Sequence, residues 1–181
     1  MSGEGRRRLG KSGIEVSSIG LGCWQLSEGA GLAGRYWPSL PQQTVDAIVA
    51  TSLQAGVNWF DTAEAYGQGR SERALARALA AAGRRPGEVV VATKWFPILR
   101  RASSLVETVA DRIEALAPYP IDLHQVHHWA GLSSVEAEMR AMAGLVRAGK
   151  IRAVGVGNFS ARRMRRAHAA LAREGMALAA N

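Results

Sequence analysis

Three short predicted strands in this chain are each followed by a polar residue: the apolar runs 57–60 and 89–93 precede Asp61 and Lys94, and a weaker strand at 122–126 precedes His127. The interval between successive polar residues is 33 positions in both cases. A strand, a crossover helix and their loops together occupy about 30 residues. The spacing therefore predicts the same position on three successive parallel strands, so that the three side chains lie at one end of a sheet.

A tyrosine follows the first of these strand ends in a loop of small residues. Tyr66 lies five positions after Asp61 and is followed by Gly67. A phenol is a weak acid, and a nearby ammonium group stabilises its ionised form. We expect Lys94 to stabilise a phenolate at Tyr66, and Asp61 to hold Lys94 in place. His127 is then placed to hydrogen-bond a substrate oxygen, and the set indicates proton transfer coupled to addition at a carbonyl group.

Helical patterns alternate with apolar runs along the chain. We predict strands at 17–22, 57–60, 89–93, 122–126, 151–156 and 176–181. We predict helices at 44–55, from Ser71, from Ser103 or Ser104 to Pro118, from Ser133 to Gly149, and from Ser160 to Gly175. Residues 6–19 form a predicted hairpin, and residues 27–41 form a predicted loop over the site. This alternation favours a parallel α/β fold.

The chain resembles the aldo-keto reductases in several ordered motifs. The similar segments are Asp-Thr-Ala-Glu-Ala-Tyr-Gly at 61–67, Thr-Lys at 93–94 and Gln-Val-His at 125–127. The resemblance implies a (β/α)8 barrel that reduces small-molecule carbonyl compounds with NADP(H) as hydride donor. It implies that Tyr66 is the general acid, tuned by Lys94 and Asp61. It also implies that His127 guides the carbonyl group.

The resemblance further implies a nicotinamide site at the ends of the first and fifth barrel strands. We expect cofactor contacts from Gly22, Cys23, Trp24, Asp61, Gly157 and Asn158. The family commonly has a Ser-Asn pair after the fifth strand, and here Gly157 stands at the serine position, so that only a backbone contact remains there. A Rossmann fingerprint is a weaker interpretation of the same stretch, because Ser160 occupies the place of its third glycine.

The predicted fold class is α/β, an incomplete (β/α)8 barrel of TIM type with about five and a half βα units and an amino-terminal hairpin. We expect one domain over 1–181, with 1–17 as a hairpin cap and 18–181 as barrel units one to six. A barrel closes with eight strands and typically about 250 residues, and its phosphate site follows strands seven and eight. We therefore expect an amino-terminal, truncated part of such a reductase, inactive alone unless self-association or a complementing chain completes the barrel.

Composition argues against several other classes of protein. The formal net charge is +8, but the arginines are scattered in pairs with few interleaved aromatic residues, so we expect no nucleic-acid partner. A single cysteine, no apolar signal segment and no run of about 18 apolar residues favour a cytoplasmic protein without a membrane partner. A metal site is not expected, because His127 faces away from His124 and His128 on a strand.

Some alternatives stay open at the level of the sequence. A half-barrel could serve as a non-catalytic binding or regulatory module. A one-residue bulge would exchange His127 for His128 at the site. Four tryptophans favour an apolar or ring-bearing carbonyl substrate without identifying it: Trp24, Trp37, Trp95 and Trp129.

Overall fold

The computed structural model of the protein describes residues 5–30 and 36–181. The predicted hairpin is present: strand β1 (Arg6–Arg8) pairs antiparallel with β2 (Glu15–Ser17). Gly10 in its turn has φ +54°, and a Cβ there would lie 2.7 Å from the carbonyl oxygen of Ala179. The hairpin thus packs directly against the last strand. The predicted loop 27–41 includes residues 31–35, which lie outside the described residues.

Six parallel strands form the main sheet, and their spatial order follows their order in the chain. They are β3 (Leu21–Gly22), β4 (Trp59–Asp61), β5 (Val90–Trp95), β6 (Leu123–Val126), β7 (Ala153–Val156) and β8 (Leu178–Ala180). The helices are α1 (Gln42–Gln54), α2 (Arg70–Ala81), α3 (Ala102–Leu116), α4 (Val135–Arg147) and α5 (Ala161–Arg173), with a short 3-10 helix at Trp24–Leu26. The predicted α/β class and incomplete TIM-type barrel are confirmed, with β3 and β8 at the two edges of the described sheet.

The two faces of the sheet are covered in different ways. The outer face packs against the helices through a large apolar core that includes Phe60, Val91 and Leu116. The inner face carries a smaller cluster, in which Ile14 and Val16 of the hairpin contact the strands near Val90 and Leu123. The hairpin therefore closes the amino-terminal end of the inner face and leaves the carboxyl ends of the strands open. In the described part of the chain, no helix combines the length and apolarity needed to cross a membrane.

Two boundaries differ from the predictions because of side-chain hydrogen bonds. Ser17 belongs to the hairpin and not to the first barrel strand, because its backbone N–H donates to Asn58 Oδ1 at 2.6 Å and its Oγ accepts from the Asn58 N–H at 3.1 Å. Helix α4 is capped by Ser134 and not by Ser133. Ser133 Oγ instead accepts a hydrogen bond from the N–H of Ala102 at 2.9 Å. The predicted cap of α5, Ser160, is confirmed.

Candidate active site

The strand register explains how equally spaced residues meet. Asp61 lies opposite Ala92, and Lys94 lies opposite Gln125. Lys94 is thus two positions beyond Ala92, the residue opposite Asp61. In the same way, His127 is two positions beyond Gln125, the residue opposite Lys94. A shift of two positions keeps a side chain on the same face of a sheet, and such stagger accompanies the tilt of barrel strands. Asp61, Lys94 and His127 consequently share the inner face, at the open carboxyl end.

Lys94 is the hub of this site. Its Nζ donates to Asp61 Oδ2 at 2.6 Å, to the carbonyl oxygen of Thr62 at 2.8 Å and to Tyr66 Oη at 3.4 Å. These three contacts use all three donors of an ammonium group. Lys94 is only 7% exposed, whereas the Asp61 side chain is 29% exposed. The buried ammonium group thus contacts both the carboxylate of Asp61 and the phenol of Tyr66.

The Tyr66 loop depends on the residue that follows it. Gly67 has φ +68°, and a Cβ there would lie 2.3 Å from the carbonyl oxygen of Ser27. Only glycine permits both this conformation and this approach. The loop therefore turns sharply beside the segment after β3 and holds the phenol over the inner face.

The structure brings His127, and not His128, to Tyr66. The rings of His127 and Tyr66 are 5.5 Å apart at an interplanar angle of 84°, and Phe96 contacts His127 from another side at 5.7 Å. The N–H of His127 donates to the carbonyl oxygen of Trp95 at 2.9 Å, so the sheet continues to this residue without a bulge. His128 instead contacts Trp129, with their rings 5.3 Å apart.

The electrostatic environment keeps His127 neutral. Burial, helped by the positive charge of Lys94 and by His128, lowers the pKa of His127 to about 4. Its Nδ1 is buried and has no hydrogen-bond partner within residues 5–30 and 36–181. At neutral pH the ring is therefore an uncharged imidazole that can donate one hydrogen bond to a ligand oxygen without delivering a full positive charge.

Sequence reasoning missed Gln125, which also belongs to the site. Its Nε2 donates to Asp61 Oδ1 at 3.0 Å, so the two carboxylate oxygens of Asp61 serve Gln125 and Lys94 separately. Gly155 on the neighbouring strand makes room, because a Cβ there would lie 2.9 Å from Gln125 Cγ. Alternation along the strand could have indicated its face, because Gln125 stands two positions before His127 and both point inward. Its partner Asp61 is 64 positions away and could not be identified from that pattern.

Aromatic rings line the approach to Tyr66. Trp24 stacks on Tyr66 at 5.9 Å and 22°, and Tyr36 and Trp37 pack against Trp24. Trp129 is 48% exposed and lies under the guanidinium of Arg163. The expectation for Trp95 was wrong, since this side chain is 1% exposed and packs among the helices. Trp95 faces outward because it is adjacent to Lys94, which faces inward.

The candidate cofactor residues lie at the expected strand ends in two different settings. After β3, Gly22 is exposed and a Cβ there would meet no atom within 4 Å, while Cys23 is fully buried and burial raises the pKa of its thiol. After β7, Asn158 (φ +59°) donates from Nδ2 to the carbonyl oxygen of His127 at 2.8 Å. A Cβ on Gly157 would lie 3.2 Å from that same oxygen.

Both strand ends carry exposed residues that a ligand could contact. Gly22 and Asn158 are exposed, and the buried Nδ1 of His127 has no hydrogen-bond partner among the described residues. Asn158 keeps its Oδ1 without a donor in the described parts of the chain, so this oxygen can accept from an amide ligand. No group of three His, Cys, Asp or Glu side chains suited to a metal ion occurs among the described residues.

Comparison with known proteins gives a consistent picture. The sequence profile described as Aldo/keto reductase family matches residues 18–181. The chain is 36% identical to aldo-keto reductase YhdN of Bacillus subtilis over 164 residues, covering 86% of this chain and 47% of that protein. It is 33% identical to a 6-dehydroglucose reductase of Novosphingobium aromaticivorans over 167 residues, covering 85% of this chain and 51% of that protein.

Solved structures agree with the sequence comparison. A glycerol dehydrogenase from Gluconobacter oxydans aligns with a TM-score of 0.75 and 31% identity, covering 99% of this chain and 54% of that chain. An aldo-keto reductase from Klebsiella pneumoniae in complex with NADPH aligns with a TM-score of 0.74 and 27% identity, covering 93% and 54%. The chain thus spans about half the length of the relatives that it matches.

Proposed function

The chain belongs to the aldo/keto reductase family, and on that premise we propose that it carries the proton-transfer residues of an NADPH-dependent carbonyl reductase. The observation that supports this most strongly is the contact of Lys94 Nζ with both Asp61 Oδ2 and Tyr66 Oη. The contact brings together a phenol, an ammonium group and the carboxylate that binds it, and this supports Tyr66 as the proton donor.

In the proposed reaction each side chain has one task. NADPH, when bound, would provide the hydride for reduction of the carbonyl carbon. His127, as a neutral imidazole, donates a hydrogen bond to the carbonyl oxygen and orients it toward Tyr66. Tyr66 gives its proton to the oxygen as negative charge develops there, and Lys94 stabilises the phenolate that results. Asp61 holds Lys94 at 2.6 Å throughout.

We propose an aldehyde or ketone with an apolar or ring-bearing group as the substrate. The support is the aromatic wall formed by Trp24, Trp37 and Tyr66, in which rings meet at 5.9 Å. Aromatic surfaces of this kind favour flat or apolar groups. The nicotinamide would lie beside Gly22, Asp61, Gly157 and Asn158. Cys23 is fully buried, so its side chain would pack in the core beneath this strand end.

For the 181 residues alone we expect no turnover. The phosphate site of a (β/α)8 barrel lies in the loops after strands seven and eight, and the described residues contain six parallel strands. Beside β8, an apolar groove lined by Met164, Leu178 and Ala180 is open to further structure. We propose that a complementing chain, or self-association, supplies the missing contacts to the cofactor.

A chimera tests the proposed reaction. Residues 1–181 are joined to the carboxy-terminal part of the Bacillus subtilis relative, and NADPH oxidation is followed with a panel of aldehydes. Tyr66→Phe should lower kcat by about 10² to 10⁴, the usual contribution of a general acid. Tyr119→Phe is the matched control, because its hydroxyl donates to the carbonyl oxygen of Arg84, away from the site.

Equal rates for Tyr66→Phe and the unmodified chimera would contradict the assignment of the proton donor. The alternative of a binding or regulatory module makes a different prediction. In that case the chimera would take up NADPH, as seen by quenching of tryptophan fluorescence, yet would reduce no aldehyde whether or not Tyr66 were present.

A further inference from the structure

A second group of charged side chains lies on the opposite face of the strand that carries Lys94. It consists of Glu64, Glu72, Arg100 and Arg112, here called the outer ionic cluster. Glu64, Glu72 and Arg112 are each no more than 9% exposed. Charges are rarely buried to this extent unless they are paired, so the cluster has a definite structural task.

Glu64 is the member that reaches toward the active site. Its Oε1 accepts from the backbone N–H of Phe96 at 2.6 Å and from Arg100 Nη1, and its Oε2 accepts from Arg112 Nη1 at 3.0 Å. Its own N–H donates to the carbonyl oxygen of Lys94 at 3.1 Å. The residue therefore fastens the loop after β4 to the end of β5 through both its backbone and its side chain.

The two ends of this fastening carry the reacting groups. Glu64 stands two positions before Tyr66, and Phe96 stands two positions after Lys94 and packs on the ring of His127. A carboxylate that bonds the Phe96 backbone thus fixes the distance between the tyrosine loop and the loop that supports His127. Arg100 strengthens the link, since its Nη1 also donates to the carbonyl oxygen of Phe96 at 3.1 Å.

We propose that Glu64 is a positioning residue, which sets the Tyr66 phenol against Lys94 and His127 through its bonds to Phe96, Arg100 and Arg112. The inference rests on the proposed function only in so far as Tyr66 is the proton donor. A misplacement of about 1 Å at a reacting group can lower a rate about 100-fold. A carboxylate that locks two loops is therefore as important to the geometry as the residues that touch substrate.

Glu72 provides a matched comparison within the same cluster. It accepts from Thr93 Oγ1 at 2.6 Å and lies 2.9 Å from Arg112 Nε, but within the described residues its side chain makes no hydrogen bond or ion pair with the Tyr66 loop. Glutamine at either position keeps the size of the side chain, removes the charge and turns an amide donor toward a guanidinium donor. Both substitutions should destabilise the fold, and only the one at Glu64 should disturb Tyr66.

The experiment uses the 181-residue chain labelled with ¹³C on the tyrosine rings. The sequence has three tyrosines, and Tyr66→Phe assigns the resonance of interest by its loss. Glu64→Gln should shift or broaden the Tyr66 resonance and leave that of Tyr119 in place. Glu72→Gln should leave both in place. An unchanged Tyr66 resonance in folded Glu64→Gln, or an equal shift in Glu72→Gln, would overturn the proposal.

A milder pair of variants covers the case in which Glu64→Gln does not fold. Arg100→Met removes one partner of Glu64 from a side chain that is 28% exposed, and Arg101→Met is its exposed neighbour with no bond to Glu64. Only Arg100→Met should shift Tyr66, and equal spectra for the two would overturn the proposal. Lys94→Met distinguishes the proposed function from the role of Glu64, because it removes the Nζ contacts to Tyr66, Asp61 and Thr62 and leaves the side-chain bonds of Glu64 intact.

Discussion

Thr93 and Lys94 are adjacent in β5, yet they bind two ionic groups that differ in their exposure to solvent. Lys94 points to the inner face and binds Asp61, whose side chain is 29% exposed. Thr93 points to the outer face and donates to Glu72, which is fully buried with Arg112. The inner pair keeps one side open to a ligand, whereas Glu72 and Arg112 of the outer cluster are buried between helices. The alternation of side chains along one strand thus separates an ion pair that a ligand can reach from buried charges that stabilise the fold.

The largest difference between the two faces should appear in stability. Removing one partner of a buried ion pair leaves an uncompensated charge and costs about 3–5 kcal/mol. Arg112→Leu should lower the free energy of unfolding by about that amount. Lys94→Met should cost about 1–3 kcal/mol, the penalty for losing hydrogen-bond partners, because Asp61 remains bonded to Gln125 and partly hydrated. Urea unfolding measures both, and a smaller loss in Arg112→Leu would contradict the contrast.

The outer cluster should also respond to pH. Burial raises the pKa of Glu72 to about 7, although Arg112 and Thr93 oppose the shift. The folded chain then holds a proton that the unfolded chain has released, so Glu72 makes stability fall as pH rises from about 4.5 to 7. The expected contribution is about 3 kcal/mol. The free energy of unfolding is measured against pH for the unmodified chain and for Glu72→Gln. The difference between the two curves isolates the contribution of Glu72, since the other titrating groups are common to both.

A difference curve without slope between these pH values would show that Glu72 stays ionised beside Arg112. The same subtraction removes the effect of the histidines, which has the opposite sign. The pKa of His124 is lowered to about 4 by burial, as is that of His127, so both make stability rise with pH between about 4 and 6.5.

The smallest predicted effect concerns Gln125. Gln125→Leu removes one hydrogen bond to Asp61 and keeps the apolar packing beside Gly155, so it should cost about 1 kcal/mol. Because the bond between Lys94 and Asp61 remains, the loss should stay below that of Lys94→Met. Chemical denaturation of the two variants side by side checks this order, and a larger loss in Gln125→Leu would make Gln125 the principal holder of Asp61.

Local patterns were enough to predict much of this molecule. Equal spacing of Asp61, Lys94 and His127 predicted their meeting at one sheet end, because a βα unit has a nearly fixed length. The α5 cap at Ser160 followed from local chemistry in the same way. Such features depend on residues close in sequence or on a repeated unit.

The features that escaped prediction depend on register or on distant partners. Alternation gives only the face on which Gln125 lies, whereas its position opposite Lys94 and its bond to Asp61, 64 positions away, depend on how the strands pair. The shortened first strand follows from the bonds of Ser17 to Asn58, 41 positions away. The contacts of Glu64 with Arg112 span 48 positions. No local pattern in the sequence connects these pairs.

The most direct test of the separation between the two faces is the rate of the chimera with Lys94→Met beside that with Thr93→Val. Lys94→Met should lower kcat for NADPH-dependent aldehyde reduction by about 10² or more, as expected for lost electrostatic stabilisation, while the protein stays folded. Thr93→Val should lower the unfolding midpoint and leave kcat within about twofold. Equal losses of rate in the two variants, or a larger loss in Thr93→Val, would contradict the account.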